Sequence, residues 1–180
     1  MEKAIFLDRD GTINVDKGYV HKPEDFVFMA GAPEAIRQMN KFGYKVIVIS
    51  NQSGIARGFF TSDDVVKLHE HINLELNKYG ARIDAYYFCP HHPDYDMECD
   101  CRKPKTGLIE QAVKDFNIDL TQSWMIGDKA SDLECAGNIG LKAVLLLTGY
   151  GSKEFLKCEG IDSFEDLYQF IRCIKQHKDV

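Results

Sequence analysis

Asp8 and Asp10 stand one residue apart within Asp8-Arg9-Asp10-Gly11-Thr12, directly after the apolar run Ala4-Ile5-Phe6-Leu7. Two carboxylates at the carboxyl end of a buried strand sit where open α/β sheets hold their ligands. Gly11 permits a tight turn, and the spacing lets both acids share one site. Like charges gathered there need a counter-charge, which a divalent cation with a phosphate would supply. A strand end capped by solvated acids is the plainer alternative.

Three further segments have the same character. Ser50-Asn51-Gln52-Ser53-Gly54 follows the run Tyr44-Lys45-Val46-Ile47-Val48-Ile49 and offers hydroxyl, amide and backbone donors to an oxyanion. Arg102-Lys103-Pro104 brings two cations. Gly127-Asp128-Lys129-Ala130-Ser131-Asp132 follows Trp124-Met125-Ile126. Each alone reads as a turn or helix cap; all four at strand ends, in this order, form a pattern.

A second constellation is Cys89-Pro90-His91, seven residues, then Cys99-Asp100-Cys101. Cys89, His91, Cys99 and Cys101 supply four soft or borderline ligands suited to a closed tetrahedral Zn²⁺ site. His92 is the rival to His91, whose Cys-x-His bite mirrors Cys-x-Cys. Disulfides are the competing explanation, and a chain expected to stay in a reducing compartment argues against them. With no open coordination position, such a zinc would be structural. Fixing Cys101 would fix Arg102 and Lys103 beside it, so the loop 89–103 is expected to wall a substrate pocket. Cys135, Cys158 and Cys173 lie in helical patterns and read as small apolar residues.

The elements that must position these residues alternate. Besides the runs already named, Ala85-Tyr86-Tyr87-Phe88 and Ala143-Val144-Leu145-Leu146-Leu147 read as buried strands. Helical spacing appears from Pro33 to Phe42, from Thr61 to Tyr79 behind a capping-box signal, and at Leu108, Ile109, Ala112, Val113 and Phe116. A last helix is expected to open at Ser163-Phe164-Glu165-Asp166 and to carry Leu167, Phe170, Ile171 and Ile174. Strands alternating with helices predict a doubly wound α/β fold, a mainly parallel, Rossmann-like sheet in a single domain over 1–180. At 180 residues the chain has room for one well-cored domain and none for a large cap domain. The approach to Asp8 is only a flap, about 13–26. The net charge of −6 argues against broad nucleic-acid binding, so a bound anion must be held by local cations, metal or amides. No run approaches the roughly 20 apolar residues of a membrane span, and no signal-peptide pattern opens the chain. A cytoplasmic monomer with no membrane partner is expected.

The four segments resemble the motifs of the haloacid dehalogenase superfamily of phosphatases over most of the chain, up to about Leu147. The resemblance implies a Mg²⁺-dependent phosphatase. Asp8 would attack phosphorus and form an aspartyl phosphate, and Asp10 would pass protons to the leaving group and from the water. Asp8, Asp128 and the Asp10 carbonyl would hold Mg²⁺. Ser50 and Lys103 would bind the phosphoryl oxygens, Lys129 would add positive charge, and Asp132 would orient its neighbours. The cysteine loop narrows the resemblance to the branch of heptose 1,7-bisphosphate 7-phosphatases and related histidinol-phosphate phosphatases. Asp8 to His21 and Asn51 to Gly58 look more like the former. That branch implies a small phosphorylated sugar as substrate, touched by Asp16, Lys17, Gly18, Tyr19, Ser50, Asn51, Gln52, Ser53, Arg102, Lys103 and Lys129. Ser50 stands where the branch often has Thr, and the hydroxyl survives. Tyr19 reads equally as an aromatic closing the flap, and Arg57 as a surface charge. A small-metabolite phosphatase such as one for histidinol phosphate is the alternative reading, and a non-catalytic zinc module the remote one.

Overall fold

The run from Ala4 to Leu7 is buried at every residue and forms β1 (Ala4–Leu7), an interior strand of a six-stranded sheet. This is a computed structural model, and it describes residues 1–156, 158 and 160–176. The other strands are β2 (Lys45–Asn51), β3 (Ala85–Cys89), β4 (Trp124–Gly127), β5 (Lys142–Leu146) and β6 (Ser163–Phe164), in the order β3-β2-β1-β4-β5-β6. Every pairing is parallel. Chain order therefore reverses between β1 and β4, the switch point at which such sheets open a crevice beyond their carboxyl ends.

The period-two alternation of the strands sorts the core onto two faces. Ile5, Leu7, Val46, Val48 and Ile126 meet Ile36 and Met39 of α1 (Ala32–Lys41), Leu68, Ile72 and Leu76 of α2 (Ser62–Asn77), and Phe170 and Ile171 of α6 (Leu167–Gln176). Ala4, Phe6, Ile47, Ile49 and Met125 meet Leu108, Ile109 and Ala112 of α3 (Gly107–Phe116) and Cys135 and Ala136 of α4 (Ala130–Asn138). A short α5 (Gly151–Phe155) follows β5. The expected capping box is present: Thr61 Oγ1 accepts from the Asp64 amide and Asp64 Oδ2 from the Thr61 amide.

One expectation needs correction. Ser163 and Phe164 do not open the last helix but form β6, and α6 begins at Leu167. The reason lies in the edge of β5, whose backbone groups would otherwise lack partners. The Leu145 amide donates to the Asp162 carbonyl and the Leu147 amide to the Phe164 carbonyl. Among the described residues no helix is long and apolar enough to cross a membrane. Between β1 and α1 lie the flap and a short 3-10 helix at Pro23–Asp25, and between β3 and α3 lies the cysteine loop.

Candidate active site

Parallel strands deliver the four polar segments to one end of the sheet. Asp8 leaves β1 almost fully buried, and its Oδ1 accepts a 2.7 Å hydrogen bond from Lys103 Nζ. The same ammonium lies 2.6 Å from Asp132 Oδ1 and donates at 2.7 Å to the Ile49 carbonyl. Burial works against a charged lysine, but Asp132 and Asp8 outweigh it and hold Lys103 firmly protonated. Asn51 locks this lysine in place. Its amide nitrogen donates to the Lys103 carbonyl and its Oδ1 accepts from the Lys103 amide, at 3.1 and 3.0 Å.

Asp10 sits at the rim. Burial alone would push its carboxyl up, but the Arg9 charge and hydrogen bonds from Asn14, Arg9 and Gln52 leave it below its ordinary value. Asn14 Nδ2 donates to Oδ1 at 3.0 Å and Gln52 Nε2 to Oδ2 at 3.1 Å. Gln52 Nε2 also donates to Ser50 Oγ at 2.6 Å, joining the second segment to the first.

Asp128, at the end of β4, is fully buried. Its Oδ2 accepts from the Tyr150 amide at 2.8 Å, and its Oδ1 has no hydrogen-bond partner among the described residues. Burial first, and the charge of Asp8 second, push its carboxyl up to about 7. Oxygens of Asp8, Asp128 and Asp132 lie within 4.8 Å of one another. An orphaned carboxylate oxygen among buried like charges fits a hard divalent cation, as the donor set for Mg²⁺ requires. Gly11 is needed for this approach: at φ 89° its missing side chain leaves room for the Asp128 carboxylate.

A cavity of ≈ 280 Å³ opens over Asp10 and is lined by Asp16, Gly18, Tyr19, Asn51, Gln52, Ser53, Lys129 and Tyr150. Lys129 Nζ lies 3.9 Å from Asp16 Oδ2 and 5.2 Å from the Tyr150 ring centroid. Two expected contact residues lie elsewhere. Lys17 donates to the Asp25 carbonyl, and Arg102 lines a separate cavity with Pro93, Met97 and Cys99 while donating to the His91 carbonyl at 3.2 Å. Sequence reasoning missed Tyr150, which acts on Asp128 through its backbone amide. The loop after β5, where Thr148 Oγ1 donates to the Gly11 carbonyl, was the available signal, being one more strand end on this side.

Cys89, Cys99 and Cys101 converge, with sulfur separations of 3.4, 2.9 and 3.2 Å. Three thiols at this spacing fit a soft or borderline cation such as Zn²⁺. The His91 ring nitrogens fall outside the cluster that these sulfurs form; its Nδ1 pairs with Asp96 Oδ2 at 2.6 Å. That pairing is of the kind that orients a metal-binding imidazole through its other nitrogen.

The sequence profile of a family described as HAD-hyrolase-like matches residues 100–167. The D-glycero-beta-D-manno-heptose-1,7-bisphosphate 7-phosphatase of Haemophilus influenzae is 44% identical over 186 residues, covering 98% of this chain and all of that protein. The protein of the same name from Escherichia coli K12 is 46% identical over 81% of this chain and 80% of its own. A crystal structure of D,D-heptose 1,7-bisphosphate phosphatase from B. bronchiseptica, complexed with magnesium and phosphate, matches with a TM-score of 0.90 at 32% identity. It covers 97% of this chain and 99% of that one.

Proposed function

The chain belongs to the D-glycero-beta-D-manno-heptose-1,7-bisphosphate 7-phosphatase family of haloacid dehalogenase-type hydrolases, and from that premise we propose how its residues remove the 7-phosphate of the heptose bisphosphate. It is a phosphoric monoester hydrolase. The observation that carries the reading is the buried Asp8 oxygen 2.7 Å from the Lys103 ammonium, with Asp10 held by three side chains at the mouth of the cavity.

Asp8 attacks phosphorus with its carboxylate, and the P–O bond to the sugar breaks. The departing alkoxide takes a proton from Asp10. Water then attacks the phosphorus of the aspartyl phosphate, Asp10 removes its proton, and inorganic phosphate leaves with Asp8 restored. The Arg9 charge favours ionised Asp10, the form the hydrolytic step uses, so the first step starts only after Asp10 has taken up a proton. Lys103 and the Ser50 hydroxyl meet the equatorial phosphoryl oxygens as charge shifts onto them. Mg²⁺, when held by Asp8, Asp128 and the Asp10 carbonyl, supplies positive charge against the repulsion between an anionic nucleophile and an anionic substrate. Asp132 keeps Lys103 charged and aimed.

Asp16, Gly18, Tyr19, Ser53 and Lys129, which line the cavity, are our candidates for holding the sugar and its second phosphate. Cys89, Cys99 and Cys101 would hold Zn²⁺ as a brace for the cysteine loop, with His91 as fourth ligand once its ring turns toward the sulfurs, and the chain acts as one catalytic unit. The decisive assay compares phosphate release from heptose 1,7-bisphosphate and from histidinol phosphate, with wild type and Asp8→Asn. We expect a kcat/KM at least tenfold higher for the sugar and no turnover in the variant. Equal use of histidinol phosphate would transfer the assignment to the alternative substrate. Activity surviving in Asp8→Asn would remove the covalent mechanism.

A further inference from the structure

Arg9 is the largest fully buried side chain among the described residues, with no solvent exposure. Its Nε and Nη1 find no hydrogen-bond partner among the described residues, so two donors of a buried charged group are left unmatched. All its hydrogen bonds pass through Nη2, which donates to Asp10 Oδ1 at 2.9 Å, Asp10 Oδ2 at 2.8 Å and the Val20 carbonyl at 2.6 Å. One nitrogen thus grips both oxygens of the proton-transfer carboxylate and the backbone of the flap.

The flap needs such a hold. Gly18 and Tyr19 both take left-handed backbone conformations, φ 78° and 54°. Tyr19, itself at the cavity wall, is followed directly by Val20, whose side chain is buried. The Tyr19 carbonyl contacts His21 Nδ1 at 2.8 Å, and the Tyr19 ring meets Phe59 edge-on at 4.9 Å. Position and chemistry therefore converge on one side chain.

We propose that Arg9 is a positioning residue that couples the substrate-facing flap to the catalytic carboxylate. Resting on the reading of Asp10 as the proton-transfer group, this places one guanidinium at two tasks. It fixes the direction of the Asp10 oxygens, and it sets the height of Asp16 to Tyr19 over the cavity. Displacing the flap at Val20 disturbs Asp10, and the reverse holds because the two share a donor.

The test uses two variants of the full chain, each assayed on heptose bisphosphate and on p-nitrophenyl phosphate, with backbone hydrogen exchange followed at residues 15–21. Arg9→Met keeps most of the volume and removes both grips. We expect kcat to fall at least tenfold on both substrates, KM to rise at least fivefold for the bisphosphate alone, and flap exchange to quicken. Arg9→Lys restores a charge beside Asp10 but cannot span to Val20 with the same geometry. It should regain part of the lost kcat while leaving the raised KM and the faster exchange. A folded Arg9→Met with wild-type constants would overturn the proposal. Should Arg9→Met fail to fold, Arg9→Lys decides alone, and unchanged KM with unchanged flap exchange would overturn the coupling. A wild type inactive on both substrates would instead strike the functional reading, since flap exchange reports the coupling without turnover.

Discussion

Replacing Lys103 by Met should destabilise the protein far more than a surface lysine could. The ammonium is shared between Asp8 at 2.7 Å and Asp132 at 2.6 Å, and all three side chains are almost fully buried. Removing one partner of a buried ion pair leaves uncompensated charge and costs about 3–5 kcal/mol. Here two carboxylates and the Ile49 carbonyl lose their partner together, partly offset by the easier burial of Met. A loss of about 4 kcal/mol, in magnesium-free buffer, is the expected result. Asp132→Asn alone removes one carboxylate and leaves Lys103 paired with Asp8, so about 1–3 kcal/mol should be lost. The double variant should be more stable than the sum of the single losses predicts, with a coupling of about 2 kcal/mol, because it no longer strands Asp132. Urea unfolding followed by circular dichroism measures all three, and constant m-values would show that the denatured state is unchanged. A Lys103→Met loss below about 1 kcal/mol, or single effects that add to within about 0.5 kcal/mol, would refute the buried triad as the centre of the site.

Three further outcomes are expected. Burial holds His69 neutral, its folded pKa lowered to about 3, so between there and the ordinary 6.5 the unfolded chain binds more protons and stability is lost as pH falls. Asp128, raised to about 7, acts in the opposite sense without metal; the stability difference between wild type and His69→Phe isolates the histidine and should change by up to about 1.4 kcal/mol per pH unit, read as urea midpoints from pH 6.5 to 4. Because protons compete for the raised Asp128 carboxyl, apparent Mg²⁺ affinity should weaken by up to about tenfold per unit below pH 7, and calorimetric titrations showing a flat profile would contradict its place in the cation site. Cys101→Ser should lower zinc content from about one ion per chain and reduce kcat/KM at least tenfold through displacement of Lys103, checked by metal analysis beside the phosphate assay.

Much of the site could be read from the chain because strand ends are written locally. Leu7 is followed at once by Asp8, Ile49 by Ser50, and Ile126 by Gly127-Asp128, and parallel pairing then carries all of them to one edge. What escaped was settled by tertiary partners. β6 forms because β5 has an edge to satisfy, which no property of Ser163 or Phe164 announces. Tyr150 contributes an amide, which every residue but proline possesses. Arg9 sat inside the motif with no role assigned to it, whereas its Nη2 contact to the Val20 carbonyl, at 2.6 Å, is as short as any at the site. Arg102 and Lys103 are neighbours in sequence, yet one faces the buried acids and the other the cysteine loop.

The bond between Asp8 and Lys103 joins residues 95 positions apart, and the clasp between Asn51 and Lys103 joins residues 52 apart. Neither can form until β1, β2 and the segment beyond β3 have met, and long loops are closed late in the search for the native state. The parts of the phosphate cradle are therefore meaningless as fragments. Helices and the inner strand pair can assemble while the cradle is still open, and during that interval a chain would look folded by secondary structure and yet bind no phosphate. Recovery of phosphatase activity after dilution from urea should accordingly trail the return of helical signal. Mutations that slow the docking of β3 should lengthen the lag without altering the finished enzyme's turnover. Catalytic competence in this architecture rests on contacts between distant parts of the chain.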